Sequence, residues 1–222
     1  MTVAALYVDT ARGAYVGLPG VELYGFATKD GRQLDGFAPT RDARAYAGPW
    51  PVVAHPPCGP WGRFRRNYKG REGDRDCGPL AVWQVRRWGG VLEHPAFSTL
   101  WREPGLRMPD PGDVDPWGGW TLAVEQVDWG HPAPKPTWLY FCRAAPPPLP
   151  PPGTPTHCMV RLARNPHERP ELPKRLRHLT PPAFARWLVA AARGGPLDTE
   201  EETEAERATA NAEECSSVGH SR

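Results

Sequence analysis

Cys58 is the residue around which chemistry can be organised. It closes a run that begins Val52-Val53-Ala54-His55-Pro56-Pro57 and continues into Gly59-Pro60-Trp61-Gly62. Proline lacks an N–H and fixes φ, so the apolar stretch cannot continue as a strand past Pro56. A thiol just beyond that stop, on a stiff turn, is placed to act as a nucleophile through its thiolate. About 35 residues later, Val91-Leu92-Glu93-His94-Pro95 repeats the design with a carboxylate in place of the sulfur. A carboxylate there can accept a hydrogen bond or move a proton. Between them runs a loop, 62–77, with six basic residues (Arg63, Arg65, Arg66, Lys69, Arg71, Arg75), three acidic ones, and Phe64 and Tyr68 interleaved. Cations mixed with rings suit phosphate contact and base stacking. Each feature also has a plainer reading: a buried structural thiol at Cys58, a helix-capping carboxylate at Glu93, a solvated loop at 62–77.

The elements that must position these groups follow from local pattern. Residues 3–9 read as a first buried strand ending at Asp9, followed by a loop containing Gly13. Residues 21–28 form a second strand-like run that closes on Lys29-Asp30-Gly31, a turn signal. Residues 31–49 look mostly irregular and include Arg41-Asp42-Ala43-Arg44. Residues 51–54 have the continuous apolar character of a buried parallel strand. Pro79 to Trp88 predicts an amphipathic helix stopped by Gly89-Gly90. Strand, helix and strand within about 45 residues make a βαβ unit, whose strands are parallel neighbours. Their carboxyl ends, bearing Cys58 and Glu93, then open into one crevice, where open α/β sheets bind ligands. Residues 121–129 alternate apolar and polar, and Thr137-Trp138-Leu139-Tyr140-Phe141 follows after a Pro-rich turn, predicting a late hairpin. Residues 145–155 are a proline-rich spacer, and Thr180-Pro181-Pro182 opens a capped helix reaching Arg193. The expectation is one α/β domain over 1–195 and a disordered acidic tail over 196–222.

Composition narrows the class. Five cysteines, no CxxC pair and no secretory pattern at the start predict a reducing compartment rather than a disulfide framework. No apolar run approaches the roughly 18 residues of a membrane span, so an intracellular protein with no membrane partner is expected. The formal charge of +2 hides an asymmetry: residues 197–222 hold eight acidic and two basic side chains, leaving 25 basic against 17 acidic before them. A basic body favours a polyanionic partner. His131, His157, Cys158, His167 and His178 show no pair at zinc spacing, so no metal is expected. Ten tryptophans, several beside Gly or Pro, suit stacking on planar ligands as well as core packing.

Taken in order, VVAHPPCGPW, VLEHP, VDWGHPAPKPTWLYF and RHLTPPAFARWL resemble the motif series of DNA (cytosine-5) methyltransferases, particularly short phage-type members, over roughly residues 50–193. The resemblance implies a Rossmann-like methyltransferase fold, mostly parallel with a late antiparallel strand pair. It implies transfer of a methyl group from S-adenosylmethionine to C5 of cytosine in DNA. Cys58 matches the nucleophile that adds to C6, and Glu93 the carboxylate that grips N3 and the exocyclic amine. Pro57, Arg63, Arg65, Arg66, Lys135 and Thr137 fall where substrate is contacted; Lys135 also reads as an ordinary surface lysine. Asp9, Gly13, Asp30, Asp42 and Pro56 are the positional candidates for cofactor contact. The implied partner is DNA, as a duplex with a flipped base or as a single strand, in the cytoplasm of a bacterial or phage-infected cell. Departures from the family are visible too. His94-Pro95 stands where the family has Asn-Val, and Ala133, Lys135 and Thr137 replace Gln and two Arg. The Phe-x-Gly-x-Gly loop is absent, and the span before the last helix is too short for a full target-recognition domain, which leaves room for a partner protein. A catalytically silent nucleic-acid binder, and a same-fold enzyme that transfers another group to a pyrimidine, are the alternatives.

Overall fold

Six short apolar runs pair into one mixed sheet. The structure, a computed structural model, describes residues 1–26, 41–70, 73–160 and 169–194. Its strands are β1 (Val3–Leu6), β2 (Val21–Tyr24), β3 (Val52–Ala54), β4 (Gly90–Pro95), β5 (Trp120–Glu125) and β6 (Pro136–Cys142). They lie in the order β2-β1-β3-β4-β6-β5. The first four are mutually parallel, whereas β6 runs antiparallel to both β4 and β5. The expected α/β class, the parallel β3–β4 pair and the late hairpin are all present.

Side-chain parity divides the core, because successive strand residues point to opposite faces. Leu6, Val52, Ala54, Leu92 and Tyr140 face one side, against the helix α1 (Cys77–Trp88). Val3, Ala5, Val53, Val91, Leu139 and Phe141 face the other, against the helix α2 (Pro182–Arg193). Both faces of β3 are therefore covered, which explains a strand with no polar residue. Burying a side chain such as Leu92 or Phe141 contributes roughly 1.5–3 kcal/mol, and each is fully buried.

The helix α1 carries the chain from β3 back to the start of β4. Gly90 then adopts φ 117, and a Cβ at that position would lie 1.9 Å from the Val52 carbonyl oxygen. Only glycine lets β4 approach β3 there, and that approach sets the register Val52↔Gly90, Val53↔Val91, Ala54↔Leu92.

Several predicted boundaries move. The first strand ends at Leu6 rather than Asp9, because Tyr7 takes φ 60. The helix α1 starts at Cys77, placing Pro79 in its first turn, where a missing N–H costs nothing. The run 121–129 is a strand only to Glu125; Gln126–Trp129 coil into a 3-10 helix closed by Gly130 at φ 91. Gln126 is thereby turned into the interior, where its amide finds partners. No side chain caps α2, so Thr180 does not act as the expected cap. Among the described residues no helix is long and apolar enough to cross a membrane. Asp30, Arg71, His167 and the acidic tail lie outside the described residues.

Candidate active site

Period-2 geometry extends one step past the paired strands to build the site. Val53 faces Val91 in register, so the residues two further on, His55 and Glu93, emerge side by side on the same face. His55 Nδ1 lies 3.0 Å from Glu93 Oε2. The Tyr15 hydroxyl lies 2.6 Å from His55 Nε2. Burial, with the Glu93 charge beside it, pushes the Tyr15 phenol far up. The phenol therefore keeps its proton, and His55 Nδ1–H donates to the Glu93 carboxylate.

The other carboxylate oxygen, Oε1, accepts from Gln126 Nε2 at 3.0 Å, and that amide also donates to Thr137 Oγ1 at 2.9 Å. The Thr137 hydroxyl in turn donates to the Lys135 carbonyl at 3.0 Å. A buried chain of polar groups thus joins the ends of β3, β4, β5 and β6. Burial opposes ionisation of Glu93, but the His55 hydrogen bond and charge, with Lys135 behind them, hold its carboxyl at about 2. Glu93 is a carboxylate at neutral pH, with 12% of its side chain accessible.

Cys58 is exposed at the mouth of this group, although protein crowds its sulfur. That crowding, and then the Glu93 charge, raise its pKa, while Lys135 lowers it. Lys135 is itself lowered by burial, and the charges of Glu93 and Cys58 work against that. Sulfur, carboxylate and ammonium therefore act on one another electrostatically. The Lys135 ammonium also donates to the Leu179 carbonyl at 2.9 Å, tying the hairpin turn to the segment before α2.

The Cys58 turn is pinned from both sides. Its carbonyl accepts from Trp61 and Gly62 amides at 3.1 and 2.8 Å, and Trp61 is fully buried against α1, where its indole crowds Gly78. The Tyr68 ring lies against the backbone of Gly59 and Gly70, so close that a Cβ on either would sit within 2.0 Å of it. The Tyr68 hydroxyl donates to Asp74. This packing folds the basic loop back over the Cys58 turn, with Arg63, Arg65 and Arg66 exposed along it.

The structure thus gathers Cys58, Glu93 and Lys135 and sets the three arginines on the adjoining loop. Thr137 is 1% exposed, and its hydroxyl is engaged by Gln126 and by the Lys135 carbonyl. Pro56 is buried and Pro57 half-buried beside Cys58. Asp9 uses Oδ1 to accept from the Ala11 and Arg12 amides, at 2.9 and 3.0 Å. Gly13 is required by the same turn, since a Cβ would lie 2.2 Å from the Asp9 carbonyl oxygen. Asp42 gives both carboxylate oxygens to Arg44, so its charge is already answered within the chain. Of Asp9 and Asp42, Asp9 is the one that keeps an oxygen, Oδ2, without a hydrogen bond, near the carboxyl end of β1. His94 points to the opposite face, fully buried near Trp101, and burial drives it down to about 4, leaving it neutral. Its approach to the Pro57 carbonyl falls short of a hydrogen bond.

Sequence reasoning passed over His55, Tyr15 and Gln126. For His55 a signal was present: it sits two residues beyond Val53, as Glu93 does beyond Val91. Tyr15 and Gln126 come from a loop and a strand end, and nothing in their spacing announced the contact. A cavity of about 350 Å³, lined by Trp83, Arg87, Trp117 and Arg143 among others, shares no residue with this group. The described residues contain no group of three or more His, Cys, Asp or Glu able to hold a metal ion. No protein-family model matches the chain, and no curated protein matches it either.

Proposed function

We propose that the chain is a DNA (cytosine-5) methyltransferase-like enzyme in which Cys58 adds to C6 of a cytosine held by Glu93. The observation that carries this reading is the shared strand end. An exposed sulfur on the turn after β3 and an ionised, largely covered carboxylate on the neighbouring parallel strand β4 share the field of the Lys135 ammonium. A mostly parallel sheet that finishes in an antiparallel pair is also what the motif resemblance implies for a Rossmann-like methyltransferase fold.

The roles follow from charge. Glu93, anionic, accepts a hydrogen bond from the exocyclic amine of cytosine. That contact offsets part of the negative field raising the Cys58 pKa, so substrate itself favours the thiolate, together with Lys135. As the S–C6 bond forms, the ring's electron pair moves toward N3, which takes a proton passed from solvent through the Glu93 carboxylate. C5 is then an enamine carbon able to attack an electrophile. Bound S-adenosylmethionine would supply that electrophile as a methyl group, with Asp9 Oδ2 a carboxylate oxygen left free to meet it. Loss of the C5 proton to water and of the N3 proton back through Glu93 expels the thiolate and restores the ring. The exposed arginines of the basic loop contact phosphate.

The addition step is tested without cofactor. Once sulfur has added to C6, C5 exchanges its hydrogen with water, so DNA carrying [5-³H]cytosine should release tritium to solvent. Release should disappear in Cys58→Ala with the circular dichroism unchanged. Release that persists in that variant overturns the assignment of the nucleophile, and incorporation of label from [methyl-³H]S-adenosylmethionine then tests the transferred group.

A further inference from the structure

Two tryptophans stand outside the core on the α1 side of the sheet. Trp83 is 54% exposed and Trp117 55% exposed, and both border the cavity of about 350 Å³ that shares no residue with the Cys58 group. Trp117 is fixed from beneath. Its backbone amide donates to Asp115 Oδ1 at 2.9 Å, as the Gly119 amide does at 2.8 Å. The other oxygen, Oδ2, accepts from the Tyr140 hydroxyl and from Arg86, each at 2.7 Å. The Asp115 side chain is fully buried and that of Arg86 nearly so. Arg86 also donates to the Tyr140 hydroxyl at 3.0 Å and to the Pro104 carbonyl at 3.1 Å. Its guanidinium lies 3.8 Å from the centroid of the Trp117 ring. A buried polar network thus supports an indole that the fold leaves facing outward.

The charge on this wall is unbalanced. Asp115 answers Arg86, but Arg87 and Arg143 line the cavity too, and no acidic side chain does. Neither Arg87 nor Arg143 forms a salt bridge with a described residue. Arg143 is held at φ 46, a strained conformation for a residue other than glycine. Its Nη2 donates to the Arg86 and Arg87 carbonyls at 3.0 and 2.5 Å, where a cation complements the C-terminus of α1. The remaining N–H groups of both guanidinium groups keep no described acceptor. Guanidinium forks match carboxylate and phosphate oxygens, an indole face stacks on a flat ring, and the volume lies within the range of small-ligand sites. We infer that this cavity is a second binding site, for a small ligand that carries an anionic group on a flat ring system: an aromatic carboxylate or a nucleoside monophosphate. The ring stacks on Trp83 and Trp117, and the anion is held by Arg87 and Arg143.

Matched pairs of probes test charge and ring separately. The full chain should be titrated with indole-3-acetate against indole, and with adenosine monophosphate against adenosine, by calorimetry and by the indole N–H signals of ¹⁵N-labelled tryptophan. At least one anion should bind about tenfold or more tighter than its neutral partner and move the Trp83 and Trp117 signals. Binding of one anion and not the other identifies the source; binding of both supports the shared chemistry. The double variant Arg87→Gln, Arg143→Gln should reduce the anion to the affinity of its neutral partner, and Trp83→Ala should weaken both members of a pair. Four results overturn the site: no saturation by either anion at millimolar concentration, equal affinity for anion and neutral partner, binding that leaves the Trp83 and Trp117 signals unmoved, or anion affinity unchanged in the double arginine variant. The first three are read on the wild type, so the inference stays falsifiable even where a variant fails to fold.

Discussion

His55 Nδ1 lies 3.0 Å from Glu93 Oε2, and this contact extends the Val53↔Val91 register by one further pair of side chains. Backbone pairing, not loop conformation, therefore fixes the distance between the imidazole and the carboxylate. That matters because only 12% of the Glu93 side chain is accessible, and a covered carboxylate without donors would take up a proton. The His55 and Gln126 donors keep it ionised, so the site meets a ligand as an acceptor.

Stability should register this pairing as pH falls. The Glu93 carboxyl is lowered from 4.5 to about 2 by the fold, a depressed acid. Its contribution is fully present above the unfolded value and is lost as pH drops through the folded one. The difference corresponds to about 3 kcal/mol, lost between about pH 5 and pH 2. Urea midpoints across that window should fall more steeply for wild type than for Glu93→Gln. Equal slopes would show that Glu93 is not held ionised by folding.

Opposite signs are expected at the sulfur. Glu93 raises the Cys58 pKa and Lys135 lowers it, so at a fixed pH near 8 iodoacetamide should alkylate Cys58 several-fold faster in Glu93→Gln and several-fold slower in Lys135→Met. Mass spectrometry of the Cys58 peptide separates it from the other thiols, of which Cys77 and Cys142 are buried. Both variants moving the rate the same way would break the proposed grouping of the three charges.

Thr137 tests structure against ligand contact. Its hydroxyl accepts from Gln126 and donates to the Lys135 carbonyl while 1% exposed. Thr137→Val should leave a buried amide hydrogen without an acceptor and lower unfolding stability by about 1–3 kcal/mol. The Glu93 carboxyl resonance should shift with it, since the same amide holds Oε1. A variant as stable as wild type, with an unmoved Glu93 signal, would mean that the chain of polar groups is not closed at Thr137.

What the sequence disclosed was whatever lies on a strand or at its end. The apolar run before Pro56-Pro57 and its echo before Glu93 named both strands, their direction and their adjacency, because parity and connection length are local properties. Gln126 was hidden because the alternation of 121–129 reads as continuous strand. Its inward turn arises from Gly130 at φ 91 and from partners on β4 and β6 that sequence spacing does not place. Tyr15 was hidden for the same reason, since it meets His55 across 40 residues. Thr137 shows the converse: motif position suggested a ligand contact, but strand parity on β6 points the side chain inward.

Gly90 links the fold to the site most directly. At φ 117, with a would-be Cβ 1.9 Å from the Val52 carbonyl oxygen, alanine there must push β4 away from β3 or break the register. Gly90→Ala should therefore cost on the order of 3 kcal/mol or more, read as a lowered urea midpoint. In whatever folded population remains, Glu93 no longer continues the Val53↔Val91 pairing. The Glu93→Gln change should then cease to alter the Cys58 alkylation rate. An unshifted midpoint, or a Cys58 that still responds to Glu93 in the Gly90→Ala background, would show that the sulfur–carboxylate relation is set elsewhere than in the β3–β4 register.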